Sequence, residues 1–258
     1  MSALLFVEGL SGGYGQKSIL RDVNLSVEAG EFCALLGLNG CGKTTLIKSI
    51  CGLLPIRQGR CTVAGEDCVH LNERQRARLM SYIPQRGSLI QGKTVLDVVL
   101  MGFNAHLHLL ESPGAAHRQK AIETLERLGL PEIAGRDYAL LSEGQKQLVI
   151  LARALVQNAP VMLMDEPDSA LDFVNRSMVL EKVRDTLRSQ GRAGLISLHD
   201  PNFAMAYCNR LLLMRDGGIL LELPLQNASR EAVETALSQI YGNIRILRHE
   251  GGFAMVRG

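Results

Sequence analysis

The chain has 258 residues, of which 47% are hydrophobic and 21% charged. This composition excludes a disordered or collagen-like protein, and the length suffices for one large domain with a sizeable core. A net charge of +2 and 4% aromatic residues without tryptophan argue against a nucleic-acid partner held by charge or base stacking.

Six cysteines, at 33, 41, 51, 61, 68 and 208, form no C-x-x-C pair. They read as reduced thiols of a cytosolic protein, neither a disulfide framework nor a metal cluster. The N-terminal stretch lacks a basic region ahead of its apolar run, and Glu8 interrupts that run, which argues against a signal peptide. No segment reaches the roughly 18 apolar residues of a membrane span.

In chain order, residues 4–7 and 19–27 read as β-strands, with the Ser-Gly-Gly-Tyr-Gly stretch at 11–15 as the turn between them. Residues 32–36 are a continuous apolar run suited to a buried strand. A glycine-rich loop follows, and then Leu46, Ile47, Ile50 and Leu53 at helical spacing. Residues 86–157 read as mostly helical. Within them, 120–130 places Ile122, Leu125 and Leu128 on one face, 111–114 is a loop, and 143–157 aligns Leu148, Leu151 and Leu155 beside Ile150 and Ala154. The last third returns to α/β alternation: a strand at 161–164, a helix at 173–189, a strand at 194–198, and a hairpin around Asp216-Gly217-Gly218. Beyond about residue 225, Ser229 is a candidate helix N-cap, and 244–248 and 253–256 alternate weakly like strands, as a packing extension would. A helical block thus interrupts one α/β unit. The expected division is a core of about 1–85 and 158–225, a helical subdomain of about 86–157, and an extension of about 226–258.

Gly37, Leu38, Asn39, Gly40, Cys41, Gly42, Lys43, Thr44 and Thr45 match the pattern G-x-x-x-x-G-K-[ST] in full. Glycines let backbone N–H groups turn inward around phosphate oxygens. The helix beginning near Lys43 offers its free N–H groups and positive dipole end to an anion. Lys43 supplies a point charge for the β- and γ-phosphates, and the Thr44 hydroxyl suits the coordination sphere of Mg²⁺.

Downstream, the apolar run 161–164 ends in Asp165 and Glu166. Two acids at a strand end are, by themselves, equally a solvated edge. With a phosphate loop upstream, the pair reads as Asp165 for the metal and Glu166 as general base for the attacking water. No Asn-Lys-x-Asp is present, which disfavours a guanine-reading GTPase.

Further short segments narrow the class: Leu141-Ser142-Glu143-Gly144-Gln145 before a helix, Tyr82-Ile83-Pro84-Gln85, Ser169-Ala170-Leu171-Asp172, and Ser197-Leu198-His199-Asp200. With these in order, nearly the whole chain resembles the ATP-binding subunit of an ABC transporter. The resemblance implies a P-loop NTPase (RecA-like) α/β core with an antiparallel β subdomain and an inserted helical subdomain. It makes Tyr14 the aromatic that stacks on adenine, residues 37–45 the Walker A loop, and Gln85 the Q-loop glutamine, a metal and catalytic residue. It makes Ser142, Gly144 and Gln145 part of the signature loop, Asp165 and Glu166 the Walker B and catalytic acids, and His199 the switch histidine. Glu143 and Asp168 depart from the commonest family pattern, and Glu143 would bring a carboxylate toward a polyphosphate. On residue chemistry alone, Tyr14 is also an ordinary turn residue, and Ser142 with Gln145 is also a plain capping box.

The same resemblance implies ATP and Mg²⁺ as ligands. It implies a head-to-tail homodimer in which each nucleotide lies between one P-loop and the other subunit's signature loop. It further implies multi-span permease subunits gripped near Gln85 and residues 94–101, a substrate-binding protein acting indirectly, and a place on the cytoplasmic face of the membrane. Residues 94–102 and Leu171-Asp172-Phe173 with Asn175 resemble importers of iron siderophores, haem and cobalamin. The alternatives are an ABC ATPase for another cargo, an exporter, or a non-transport ATPase of the DNA-repair or ribosome type. The absence of heptad runs, of C-x-x-C pairs and of a second P-loop disfavours the non-transport types.

Overall fold

The computed structural model describes residues 3–85, 90–108, 110–250 and 252–258. It begins with β1 (Leu5–Tyr14) and β2 (Lys17–Val27), followed by β3 (Phe32–Leu36) and α1 (Lys43–Ile50). Next come β4 (Ile56–Val63), β5 (Glu66–Asp67), α2 (Glu73–Leu79) and β6 (Met80–Ile83). The helical stretch holds α3 (Val95–Leu100), α4 (Ala115–Arg127) and α5 (Glu143–Gln157), joined by short 3-10 turns. The remainder is β7 (Val161–Asp165), α6 (Phe173–Ser189), β8 (Ala193–Ser197), α7 (Pro201–Tyr207), β9 (Arg210–Arg215), β10 (Gly218–Pro224), α8 (Arg230–Tyr241), β11 (Ile244–His249) and β12 (Gly252–Arg257).

The central sheet has six strands in the order β10-β9-β3-β8-β7-β6. Its strands are parallel except β10, which returns antiparallel from β9. Strands covered on both faces read as near-continuous apolar runs, and β3, β7 and β8 are buried throughout, with polar residues only at the ends of β7 and β8. Alternation divides them between two cores. Phe32, Ala34, Leu36, Met162, Met164 and Ile196 face the core shared with α3, α4, α5 and α8. Cys33, Leu35, Val161, Leu163 and Leu195 face the core shared with α1 and a four-stranded antiparallel sheet, β2-β1-β4-β5.

Several boundaries differ from the expected ones. Residues 11–14 belong to β1, and the turn falls after Tyr14. The strand survives its glycines by bulging: its register with β2 shifts between Leu10, Gly12 and Gly13. A Cβ at Gly13 would lie 2.1 Å from the Lys17 carbonyl oxygen, so this close pairing requires glycine. Helix α1 stops at Ile50, leaving Leu53 past its end and 60% exposed. Helix α4 starts at Ala115, five residues before the apolar spacing becomes visible. The expected boundary at residue 86 lies outside the described residues. Strands β4, β5 and β6 and helix α2 carry too little period for the sequence to reveal them.

The C-terminal segment packs as an integral part. Ser229 caps α8, its Oγ accepting from the Ala232 N–H at 3.1 Å. Val233, Ala236, Leu237 and Ile240 enter the first core. Strands β11 and β12 form a hairpin, and the Met255 N–H donates to Asn202 Oδ1 at 2.6 Å on α7. Leu237→Ala should therefore lower unfolding free energy by about 2–5 kcal/mol in urea titration, while the half-exposed Leu247→Ala should change it by less than about 0.5 kcal/mol.

Candidate functional site

The phosphate loop leaves the end of β3 and enters α1. Gly40 and Gly42 sit at φ +81° and +113°, where a side chain would be strained. A Cβ at Gly37 would lie 2.3 Å from the Met214 carbonyl oxygen, so the loop can press against the end of β9 only with glycine there. The Gly217 N–H donates to the Cys41 carbonyl at 3.1 Å and ties the loop to the β9–β10 turn. Lys43 is buried, and its Nζ donates to the carbonyls of Gly37 at 2.8 Å and Leu38 at 3.4 Å. No side chain caps the start of α1. Its leading N–H groups, the loop and a buried ammonium therefore converge on one cleft, walled by Ile19, Asn39, Gly40, Gly42, Thr44, Thr45 and Glu166. This donor set suits a polyphosphate.

Two carboxylates close the cleft. Asp165 ends β7 and is 1% exposed. Its Oδ1 accepts from Thr44 Oγ1 at 3.0 Å and from Ser197 Oγ at 2.9 Å. The Thr44 hydroxyl and Asp165 carboxylate are hard oxygen donors of the kind Mg²⁺ takes. Glu166 follows at φ +48°, a left-handed conformation that turns its side chain away from the strand direction. Its N–H donates to Ser197 Oγ at 3.0 Å. Its Oε2 lies 2.5 Å from the donor Gln85 Nε2 and 2.6 Å from His199 Nε2. A carboxylate held this way, 5% exposed beside a phosphate cleft, is placed to accept a proton.

The structure thus gathers Lys43, Thr44, Gln85, Asp165, Glu166 and His199 into one constellation. Tyr14 stands at the end of β1 and is 45% exposed. The signature residues lie apart: Ser142 and Gln145 form a reciprocal capping box on α5, each backbone N–H donating to the other's side chain at 3.2 Å. Among the described residues, no hydrogen bond or ion pair links Ser142, Gly144 or Gln145 to the phosphate cleft. Gly144 instead faces Ala170, whose carbonyl oxygen would lie 3.2 Å from an added Cβ. Glu143 is exposed and ion-paired to Lys146 at 2.8 Å, one turn along the same helix.

Ser197 stands in the segment quoted for His199, but sequence reasoning gave it no role. It links both acids through its hydroxyl at the end of β8. Asp168 also acquires a partner: its buried carboxylate lies 3.1 Å from Arg176 Nε. Burial pushes the Asp168 carboxyl above its ordinary range, and the Arg176 charge opposes that.

Residues 20–169 match the ABC transporter family. A Helicobacter pylori protein named "probable iron chelatin transport ATP-binding protein" is 36% identical over 220 residues, spanning 85% of this chain and 86% of the relative. A Halobacterium salinarum cobalamin import ATP-binding protein is 36% identical over 215 residues, or 83% of this chain and 54% of the relative. Among solved structures, a transporter of metal-chelate type in an inward-facing conformation superposes with a TM-score of 0.80 at 28% identity, covering 98% of this chain and 96% of the other. A dimeric post-hydrolysis cassette bound to ADP and phosphate gives 0.78 at 26% identity, covering 87% of this chain and all of the other.

Because Ser197 Oγ serves both acids, Ser197→Ala removes one hydrogen bond from each, leaving Asp165 Oδ1 its Thr44 partner and the Glu166 N–H its bond to the residue-197 carbonyl. The expected cost is about 1–3 kcal/mol in thermal or urea denaturation, larger than for Ser189→Ala at the exposed end of α6.

Proposed function

The chain belongs to the ABC transporter family as an ATP-hydrolysing subunit, and we propose that it powers a membrane importer for a metal chelate of the iron-siderophore, haem or cobalamin kind. The observation that carries the hydrolytic reading is the convergence of Gln85 and His199 on one oxygen of Glu166, beside the Lys43 loop and the Thr44–Asp165 pair.

In this reading Lys43 exchanges its carbonyl partners for β- and γ-phosphate oxygens, and the α1 N–H groups hold the rest of the chain of phosphates. Tyr14 offers its exposed ring to adenine. Thr44, Asp165 and the Gln85 amide would hold Mg²⁺, which when bound offsets phosphate charge. Glu166 accepts the proton of the attacking water, while Gln85 and His199 keep its carboxylate aimed.

A second copy of the chain supplies the signature loop. Among the described residues Ser142, Gly144 and Gln145 make no hydrogen bond or ion pair to the chain's own cleft, and a head-to-tail pair would give two equal sites, each shared. Capping bonds at the start of α5 compete with phosphate for the same N–H groups, so closure on ATP replaces them. The Lys146 partner offsets the Glu143 charge beside that anion.

The permease would seat in a groove of about 430 Å³ between the α/β core and the helical block, walled by Leu53, Arg76, Tyr82, Met101, Asn104 and Arg153. Residues 95–100, expected to line that surface, largely face inward: Val95, Val98, Val99 and Leu100 are buried in the first core. Only the end of the expected stretch, Met101, reaches the groove. No described helix is long and apolar enough to cross a membrane. The assignment therefore requires separate membrane-spanning subunits, with this chain on their cytoplasmic face and a substrate-binding protein on the far side.

Glu166→Gln should reduce ATP turnover by about 10²–10³-fold and accumulate an ATP-bound dimer, seen as a shift in gel filtration. Turnover near wild type would remove Glu166 from its assigned role. For cargo, the chain reconstituted with its permease should hydrolyse ATP faster when binding protein loaded with one chelate is added. Basal ATPase that Lys43→Ala abolishes but no chelate stimulates would exclude the chelate importer and leave the ATPase in place.

A further inference from the structure

Asp168 stands two residues beyond Glu166, on the same turn, and its side chain is 5% exposed. A buried acid destabilises the fold unless it is paired. Its partner Arg176, in the first turn of α6, holds residue 168 at two points. Arg176 Nε lies 3.1 Å from the carboxylate, and Nη2 donates to the Asp168 carbonyl at 3.4 Å. The Cζ of the same guanidinium lies over the Phe203 ring, 5.0 Å from its centroid.

Phe203 lies in the first turn of α7, four residues after His199. It is buried, tilted against Phe173 at 5.4 Å and stacked with Tyr207 at 6.2 Å. One guanidinium therefore joins the turn carrying Glu166 to the helix that follows His199. The charged or titratable groups facing Asp168 are Arg176, His199 and Glu166.

A buried ion pair adds little net stability over well-packed apolar groups, and its best-attested use is to fix register. The extended guanidinium makes the ion pair, the carbonyl hydrogen bond and the ring contact at once, which the compact ammonium of lysine cannot. We propose that Asp168, Arg176 and Phe203 form one positioning unit that sets the geometry between the Glu166 carboxylate and His199 during ATP hydrolysis. The inference rests on the roles of Glu166 and His199 assigned above. It also accounts for an acid at position 168: the carboxylate serves Arg176, not the nucleotide.

The test is ATP hydrolysis and binding of a non-hydrolysable ATP analogue by the full chain carrying Asp168→Asn or Arg176→Lys, each also combined with His199→Ala. Each single variant should lower kcat about 10- to 100-fold, with KM for ATP and analogue affinity within about twofold of wild type. In the His199→Ala background, measured by single turnover with enzyme in excess, neither variant should lower the remaining rate further, because both act through His199. Wild-type kcat in both variants, or a fully additive loss in that background, overturns the proposal. Loss of analogue binding in both variants also overturns it, since the pair would then be holding the fold. If Glu166→Gln retains normal turnover, the parent assignment falls and this one with it. If Glu166→Gln is inactive while Asp168→Asn and Arg176→Lys are both normal, only the positioning unit falls.

Discussion

Two adjacent carboxylates, Asp165 and Glu166, are buried at the end of one strand beside a loop built to hold polyphosphate. Like charges so placed need donors from several directions, and much of the surrounding architecture supplies them. The strand order solves the problem because β8 lies between β3 and β7. The end of β3 leads into the phosphate loop, the end of β7 presents the acids, and Ser197 at the end of β8 reaches both. Ligands of open α/β sheets bind beyond the carboxyl ends of the strands, and here three neighbouring ends share the work.

The sheet can bear these polar ends because its interior is sealed on both faces. Alternate residues of β3, β7 and β8 enter different cores, one shared with the helical block and one with α1 and the antiparallel sheet. Such close packing holds the strand ends in register. Gln85 hangs on a segment that leaves β6, and His199 on the turn into α7. Both meet Glu166 at hydrogen-bond distance. In the proposed positioning unit, the Asp168–Arg176–Phe203 contact braces that meeting from behind.

The signature loop follows a different logic. Its residues satisfy one another as a helix cap and are complete as local structure, with Gly144 packed against Ala170. On the proposed reading a single chain holds two half-sites, one for phosphates and one whose N–H groups are capped until a second copy brings its nucleotide. Pairing with a second copy joins the halves. The solved dimeric cassette bound to ADP and phosphate is consistent with such an arrangement for this family.

Local rules made the phosphate loop, the buried strands, the long helices, Ser229 as a cap and the paired acids legible in the sequence, because glycine conformation, apolar period and capping act over a few residues. The family resemblance added Gln85, His199 and the signature loop, which residue chemistry alone left open. Only the tertiary structure decided which of these groups meet. Thr44 finds Asp165 across 121 residues, and Gln85 finds Glu166 across 81. Strand order and register set those distances, and no local period encodes them. For the same reason, Ser197, the Arg176 partner of Asp168 and the inward face of α3 emerged only in three dimensions. A hydroxyl, an exposed-looking arginine or an apolar stripe reads alike in sequence whatever it packs against.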